Sequence, residues 1–306
     1  MASPAATGGV PVLTYTLYDP LAYEHIRRHH LYRQAELRRL RQVGAVDSSV
    51  ASDRSVPPFP QQAMVLKTAW WPVAAGGITP LPVWDPERNP PRRAGNSYLS
   101  WQRVVAVDPA WRSAEPATAD VEFAGHAFVA AHRLGLQSLY YVQLDARTAA
   151  RMMADPESQR AAWIALGRQL RAGDFLVLVA ANLAARQGDD WLWVTYWWHD
   201  QPDAGPFAAQ RPDSVHGAWR NYLMQLAYDG GPDICFDPWL EGRFPDGGSG
   251  GGSSSNCLTC HRRASYPAVA FLPVTRGAPD LPHDAAFASG RLRTNDIWSL
   301  ALHASP

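Results

Sequence analysis

The apolar positions of this chain recur with two different periods. Near the N-terminus the spacing is helical. Leu21, Ile26, Leu37, Leu40 and Val43 share one broad face, while Arg27, Arg28, Arg33, Arg38, Arg39 and Arg41 occupy the other. This predicts an amphipathic, basic helix from Leu21 to Val43. Residues 1–19 look like an extended, weakly ordered lead-in, and Pro57, Pro58 and Pro60 end regular structure before the next element. From Ala63 onward the runs shorten and become rich in β-branched and aromatic residues. Strands are expected at Ala63–Trp71, Tyr98–Val107, Val121–His132, Ser138–Leu144, Asp174–Arg186 and Trp191–Trp198, with Gln187-Gly188-Asp189-Asp190 as a hairpin turn. Arg147 to Arg171 suits one or two helices interrupted near Pro156, Trp219 to Tyr228 a short helix, and Thr294 to His303 a last short element.

These elements predict an α+β fold: one antiparallel β-sheet body of five to seven strands, flanked by helices, with a separate C-terminal segment. Three regions are expected to pack as one domain. Residues 1–60 form the lead-in and basic helix, 61–245 the β-rich body, and 246–306 a Gly/Ser loop followed by that C-terminal segment. The chain has 306 residues, enough for an ample core.

That last segment carries the chemistry. Cys257-Leu258-Thr259-Cys260-His261 is a C-x-x-C-H motif, the attachment site of a c-type haem. The two thiols add across the porphyrin vinyl groups, and the adjacent histidine supplies the proximal iron ligand. A thioredoxin-like pair would follow a strand, whereas here Gly/Ser-rich residues 246–256 precede it. A zinc site built from Cys235, Cys257, Cys260 and His261 is the other alternative, but adjacent Cys260 and His261 would chelate one zinc ion poorly. With three cysteines in all, two of them assigned to haem, disulfides are not expected to hold the fold.

Composition sharpens this picture. Net formal charge is zero, so nothing points to nucleic acid. No stretch approaches the ~20 apolar residues of a membrane span. Met1-Ala2-Ser3-Pro4 does not begin a signal peptide, although haem c attachment belongs to an exported, periplasmic compartment; a mature or trimmed chain is therefore expected. Thirteen tryptophans suit a chain that wraps a large aromatic group, or an aromatic core. Of the 28 basic residues, 27 are arginine and one is Lys67, the only amine side chain able to lose its proton, ligate iron or act as a nucleophile.

No methionine follows His261, which excludes the downstream-methionine ligand common in electron-transfer cytochromes. The sixth position is either empty or filled from upstream. Met64 and Lys67 lie on opposite faces of one expected strand. His126 and His132 share a face if their strand is regular, and His199 shares the face of Trp191, Trp193, Thr195 and Trp197. Lys67, His199 and His126 are the candidate catalytic residues; Cys257 and Cys260 would hold one covalent haem c, and His261 its iron. An open iron site favours small-molecule oxidoreductase chemistry over a simple shuttle. An upstream histidine or methionine ligand would give an electron-transfer cytochrome serving a redox partner protein, and a gas-binding or sensor protein is the third expectation.

The segment from Ser255 to Ala264, with Thr294-Asn295-Asp296-Ile297-Trp298-Ser299-Leu300, resembles a group of bacterial monohaem proteins of the cytochrome c family. Trp193-Val194-Thr195-Tyr196 and Asn221-Tyr222-Leu223 extend that resemblance. More loosely, the chain is similar to the β-sheet c-type cytochromes, namely the hydroxylamine-oxidising cytochromes and cytochrome c-prime-beta. They too carry C-x-x-C-H near the C-terminus and end on a short aromatic segment. In the hydroxylamine oxidisers a lysine is linked to the haem edge; the resemblance implies Lys67 for that position.

Overall fold

The computed structural model describes residues 12–43, 54–85, 97–205, 207–232, 234–241, 255–268 and 290–306. The chain forms an α+β fold. Strand β1 (Leu13–Tyr18) leads into helices α1 (Pro20–Arg28) and α2 (Gln34–Val43), then β2 (Met64–Val73), β3 (Thr79–Pro82), β4 (Val104–Val107), β5 (Ala117–Phe123), β6 (His126–Leu134) and β7 (Tyr141–Gln143). Helices α3 (Ala146–Met152) and α4 (Pro156–Leu166) precede β8 (Phe175–Gln187), β9 (Asp190–Trp198) and β10 (Tyr222–Ala227). The C-terminal part holds α5 (Cys257–His261), β11 (Ser265–Tyr266), β12 (Leu292–Arg293) and α6 (Trp298–His303).

Two sheets, not one, make the body. The larger runs β1-β2-β8-β9-β10, with β7 also paired to β8, and all its ladders are antiparallel. The smaller runs β3-β4-β6-β5 and contains one parallel pair, β4 with β6. The expected single strand Val121–His132 is in fact two, because Ala124 and Gly125 take φ of +52° and +78° and turn the chain back on itself. The β8–β9 hairpin matches its expectation. Gly188 adopts φ +59° in the loop, and its N–H and carbonyl are both held by the Gln61 side chain at 2.8 and 2.7 Å.

Several other elements differ from expectation for local reasons. The lead-in is not loose where it is described, since Leu13–Tyr18 pairs in register with β2. The long basic helix breaks in two at His30, whose φ is +52°. Tyr98–Ser100 is a 3₁₀ turn, so the strand there is confined to Val104–Val107. Leu136–Ser138 is another such turn, leaving only Tyr141–Gln143 extended. Trp219–Tyr228 is not a helix: Gly217–Asn221 makes a short 3₁₀ turn, and Tyr222–Ala227 becomes β10 because β9 offers it a full ladder. Here tertiary pairing overrides local propensity. The Gly/Ser loop before the C-x-x-C-H motif lies largely outside the described residues.

Aromatic packing joins the two sheets. Trp71 on β2 is 2 % exposed and makes edge contacts with Tyr98 and Phe123, while its Nε1 donates to Pro80 at 2.9 Å. A separate apolar layer of α3, α4, Leu13 and Leu176 covers part of the opposite face of the larger sheet. Trp71→Ala is expected to lower stability by about 3–5 kcal/mol in urea unfolding. Trp163→Ala, at an exposed position on α4, is expected to stay within about 0.5 kcal/mol. Equal losses in the two variants would contradict the role given to Trp71.

Candidate functional site

The site grows from one face of β9. Strand alternation puts Trp191, Trp193, Thr195 and Trp197 on a single side of the larger sheet, and all four are buried. Helix α5 sits on this face, with the His261 ring 3.8 Å from the Trp193 ring between centroids. Asn256 starts the helical turn by accepting from the N–H groups of Leu258 and Thr259 at 3.0 and 3.4 Å, and its amide donates to the Pro232 carbonyl at 2.9 Å. Positions 257, 260 and 261 stand at i, i+3 and i+4, so one side of a single turn presents both thiols and the imidazole.

His261 is held in one tautomer. Its Nδ1 lies 2.7 Å from the Asp296 carbonyl oxygen, which can only accept, so Nδ1 carries the proton and Nε2 keeps its lone pair. Asn295 and Asp296 take φ of +50° and +65° to aim that carbonyl, a conformation that Asn and Asp tolerate better than other side chains do. Burial lowers the His261 pKa to about 4, against the carbonyl's opposing pull, so the imidazole is neutral at ordinary pH. Burial also raises Asp296 to about 6.

The thiols differ from one another. Cys260 is partly exposed, and burial with Glu241 nearby raises its pKa to about 12. Cys257 is buried, with its sulfur 3.3 Å from the Cys235 sulfur; that contact, followed by burial, raises its pKa well above an ordinary thiol. Several buried donors around this segment lack a hydrogen-bond acceptor among the described residues, among them Nε1 of Trp193, Nε of Arg186, Oγ of Ser265 and Oγ1 of Thr294. A partly exposed Cys260 and His261, and an imidazole with Nε2 unused by the Asp296 bond, are compatible with a covalently held haem. Among the described residues no group of three or more His, Cys, Asp or Glu side chains is arranged to hold a metal ion by itself.

Lys67 belongs to the same face. The ladders place Thr16, Lys67, Asn182, Thr195 and Gln225 in one row across five strands. The adjoining row contains Trp193. Its charge is felt by Cys260, His261, His303 and Asp237. Met64 falls on the opposite, exposed side, as the alternation requires.

Asp237 is the residue that sequence reasoning missed. It is fully buried against the Lys67 row, accepting from the N–H groups of Trp239 and Leu240 at 2.8 and 3.4 Å; with the Asn182 amide turned so that its nitrogen faces the carboxyl, that amide donates to it at 2.9 Å. Thr195 and Gln225 hold the neighbouring Phe236 backbone at 3.1 and 3.2 Å. Burial lifts Asp237 to about 7 despite the Trp239 and Leu240 N–H donors and the Lys67 charge. The available signal was Asn182, a single amide inside the apolar run from Phe175 to Ala185.

The other two candidates are not brought to this place. His199 is buried on the same side, but six residues along β9 and beyond from Trp193 is roughly 20 Å. There its Nδ1 accepts from the Gln201 N–H at 2.9 Å, beside Asp200. His126 is exposed at the start of β6, in the smaller sheet. The face shared by His126 and His132 does not survive either, because Ala130 takes φ +54° and the β5–β6 register shifts. No family model, curated protein or solved structure matches this chain.

The raised Asp237 pKa has a defined pH signature. The folded chain keeps this proton up to about pH 7, whereas the unfolded chain releases it near pH 4. The contribution to stability is full below pH 4 and is lost as pH rises through 7, by up to ~1.4 kcal/mol per unit. Asp237→Asn has no such proton to lose. Its stability relative to the parent chain is expected to rise between pH 4 and 7 in urea titrations and then level off. A difference independent of pH would contradict the assignment.

Proposed function

We propose that this chain is an exported monohaem c-type redox protein, with small-molecule oxidoreductase chemistry at its haem. The observation that carries the reading is the C-x-x-C-H turn docked on Trp193, with His261 fixed by the Asp296 carbonyl so that Nε2 remains a ligand. Cys257 and Cys260 would hold the haem as thioethers and His261 would ligate its iron. When bound, the group supplies electron transfer and a site for a small oxidisable or reducible ligand.

The polar row supports small-molecule chemistry over a plain shuttle. Lys67, the one lysine, stands beside a buried carboxyl that titrates near neutral pH. Such a pair can hold or deliver a proton within the water-poor interior. With the Asn182 amide donating to the carboxyl, Lys67 and Asp237 would work together through their charges. The described residues contain no helix long and apolar enough to cross a membrane. The periplasmic assignment rests on the chemistry of haem attachment alone.

Intact mass of chain made with the haem-attachment machinery is expected to exceed the polypeptide mass by one haem. Cys257→Ala together with Cys260→Ala is expected to abolish the increment. Parent chain that carries no haem would overturn the proposal. The ferrous protein is expected to bind carbon monoxide, with a shift of its Soret band, as an open sixth position requires. A spectrum unresponsive to carbon monoxide would favour the electron-transfer alternative instead. Lys67→Met is expected to leave the haem mass unchanged while lowering turnover with a small-molecule donor such as hydroxylamine by ten-fold or more, on the order of a lost general acid or base.

A further inference from the structure

The third cysteine stands where nothing in the haem reading needs it. Cys235 is fully buried, and its backbone is clamped to the Ser255–Asn256 segment entering α5. Its N–H donates to the Ser255 carbonyl at 3.0 Å, and its own carbonyl accepts from the Cys257 N–H at 3.1 Å. The two sulfurs are 3.3 Å apart, in van der Waals contact. A disulfide needs about 2.05 Å between sulfurs and adjacent backbones. The backbones are already joined by hydrogen bonds, and the sulfurs are 3.3 Å apart before any bond forms.

We propose that Cys235 and Cys257 form a disulfide in the haem-free chain, and that this bond competes with the cofactor for the Cys257 sulfur. The disulfide stands on the sulfur geometry alone; the competition rests on the haem reading. The oxidant is a low-molecular-weight disulfide of the glutathione class. Cys260, the partly exposed thiol, meets it first: its thiolate displaces one small thiol and forms a mixed disulfide. Cys257 then attacks the Cys260 sulfur and releases the second small thiol. Cys235 attacks the Cys257 sulfur and returns Cys260 to its thiol form. Overall, Cys235 and Cys257 each give up a proton and an electron, and the small disulfide becomes two thiols. Burial keeps the thiolate fraction low, so the exchange is slow. A sulfur bonded to Cys235 is neither a thiol nor a thiolate, so it has no S–H to add across a vinyl group. Cys235 thereby makes haem attachment at Cys257 dependent on reduction.

The full chain, prepared without haem and incubated with glutathione disulfide, is then denatured, alkylated and digested. The expected product links the Cys235 and Cys257 peptides and leaves Cys260 alkylated. Cys260→Ser is expected to form the link about ten-fold more slowly or worse, because the small disulfide must then meet the buried Cys257 directly, and Cys235→Ser to lose it. A stable Cys257–Cys260 link, or three alkylated cysteines, would overturn the proposal. In chain made with the attachment machinery, no molecule bearing the haem mass is expected to contain the Cys235–Cys257 link. A molecule with both would overturn the competition. If no haem mass appears in any molecule, the haem reading fails while the disulfide result stands.

Discussion

The two-residue period of β9 is the constraint on which the rest of this structure depends. Four large or hydroxyl-bearing side chains, Trp191, Trp193, Thr195 and Trp197, must face one way, and each recruits a different part of the chain. Trp191 packs against Phe59 and donates to Asn295 at 3.1 Å. Trp193 receives His261. Thr195 holds the Phe236 carbonyl, and Trp197 packs on Phe207 and Phe236. A one-residue slip of β9 would turn all four away together. The N-terminal helices, the segment around Cys235 and the C-terminal motif therefore meet on this face, though far apart in sequence. Their apolar side chains form one cluster that includes Leu31, Leu37, Phe59, Trp191, Cys257 and Leu300.

Polar groups interrupt that apolar face in one place, and the interruption is organised. Lys67, Asn182, Thr195 and Gln225 come from four strands but lie in one row because the antiparallel ladders are in register. A buried row of this kind is costly unless its members satisfy one another. Thr195 and Gln225 do so by binding the backbone of Phe236, which in turn sets Asp237 against Asn182. The carboxyl is stabilised by backbone donors and a nearby ammonium and destabilised by burial, and burial prevails. A group balanced in this way titrates where biological proton transfers occur, and it lies on the face to which the C-x-x-C-H turn docks.

Much of the fold could be read from the sequence where periodicity was unbroken. The aromatic run 191–198, the apolar run around 175–186 and the helices on either side of Pro156 all stand where their patterns place them. The sequence became illegible where single residues reverse the chain or where pairing partners are remote. His30 and Ala130 take positive φ without being glycine, so no composition signal marks the irregularities they cause, whereas the reversal at Ala124 did carry a glycine, Gly125. The strand at 222–227 exists because β9 is its neighbour, which no local window can contain. The C-x-x-C-H motif was legible because its spacing is local. The Asp237–Asn182–Lys67 group was not, because its members are 55 to 170 residues apart and meet only through sheet register and one loop. Lys67 was singled out by composition alone; its position beside Asp237 gives that choice a physical basis. His199 and His126 were chosen by residue type and strand parity, and parity says nothing about distance along a strand.

The central claim is that His261, oriented by the Asp296 carbonyl, is the ligand of a covalently attached iron. A crystal structure of the haem-loaded chain tests it most directly. The account predicts thioether bonds from Cys257 and Cys260, iron bonded to His261 Nε2, and His261 Nδ1 still donating to the Asp296 carbonyl. Iron bonded to a different protein side chain on the proximal side, or His261 Nε2 turned away from the metal, would contradict it.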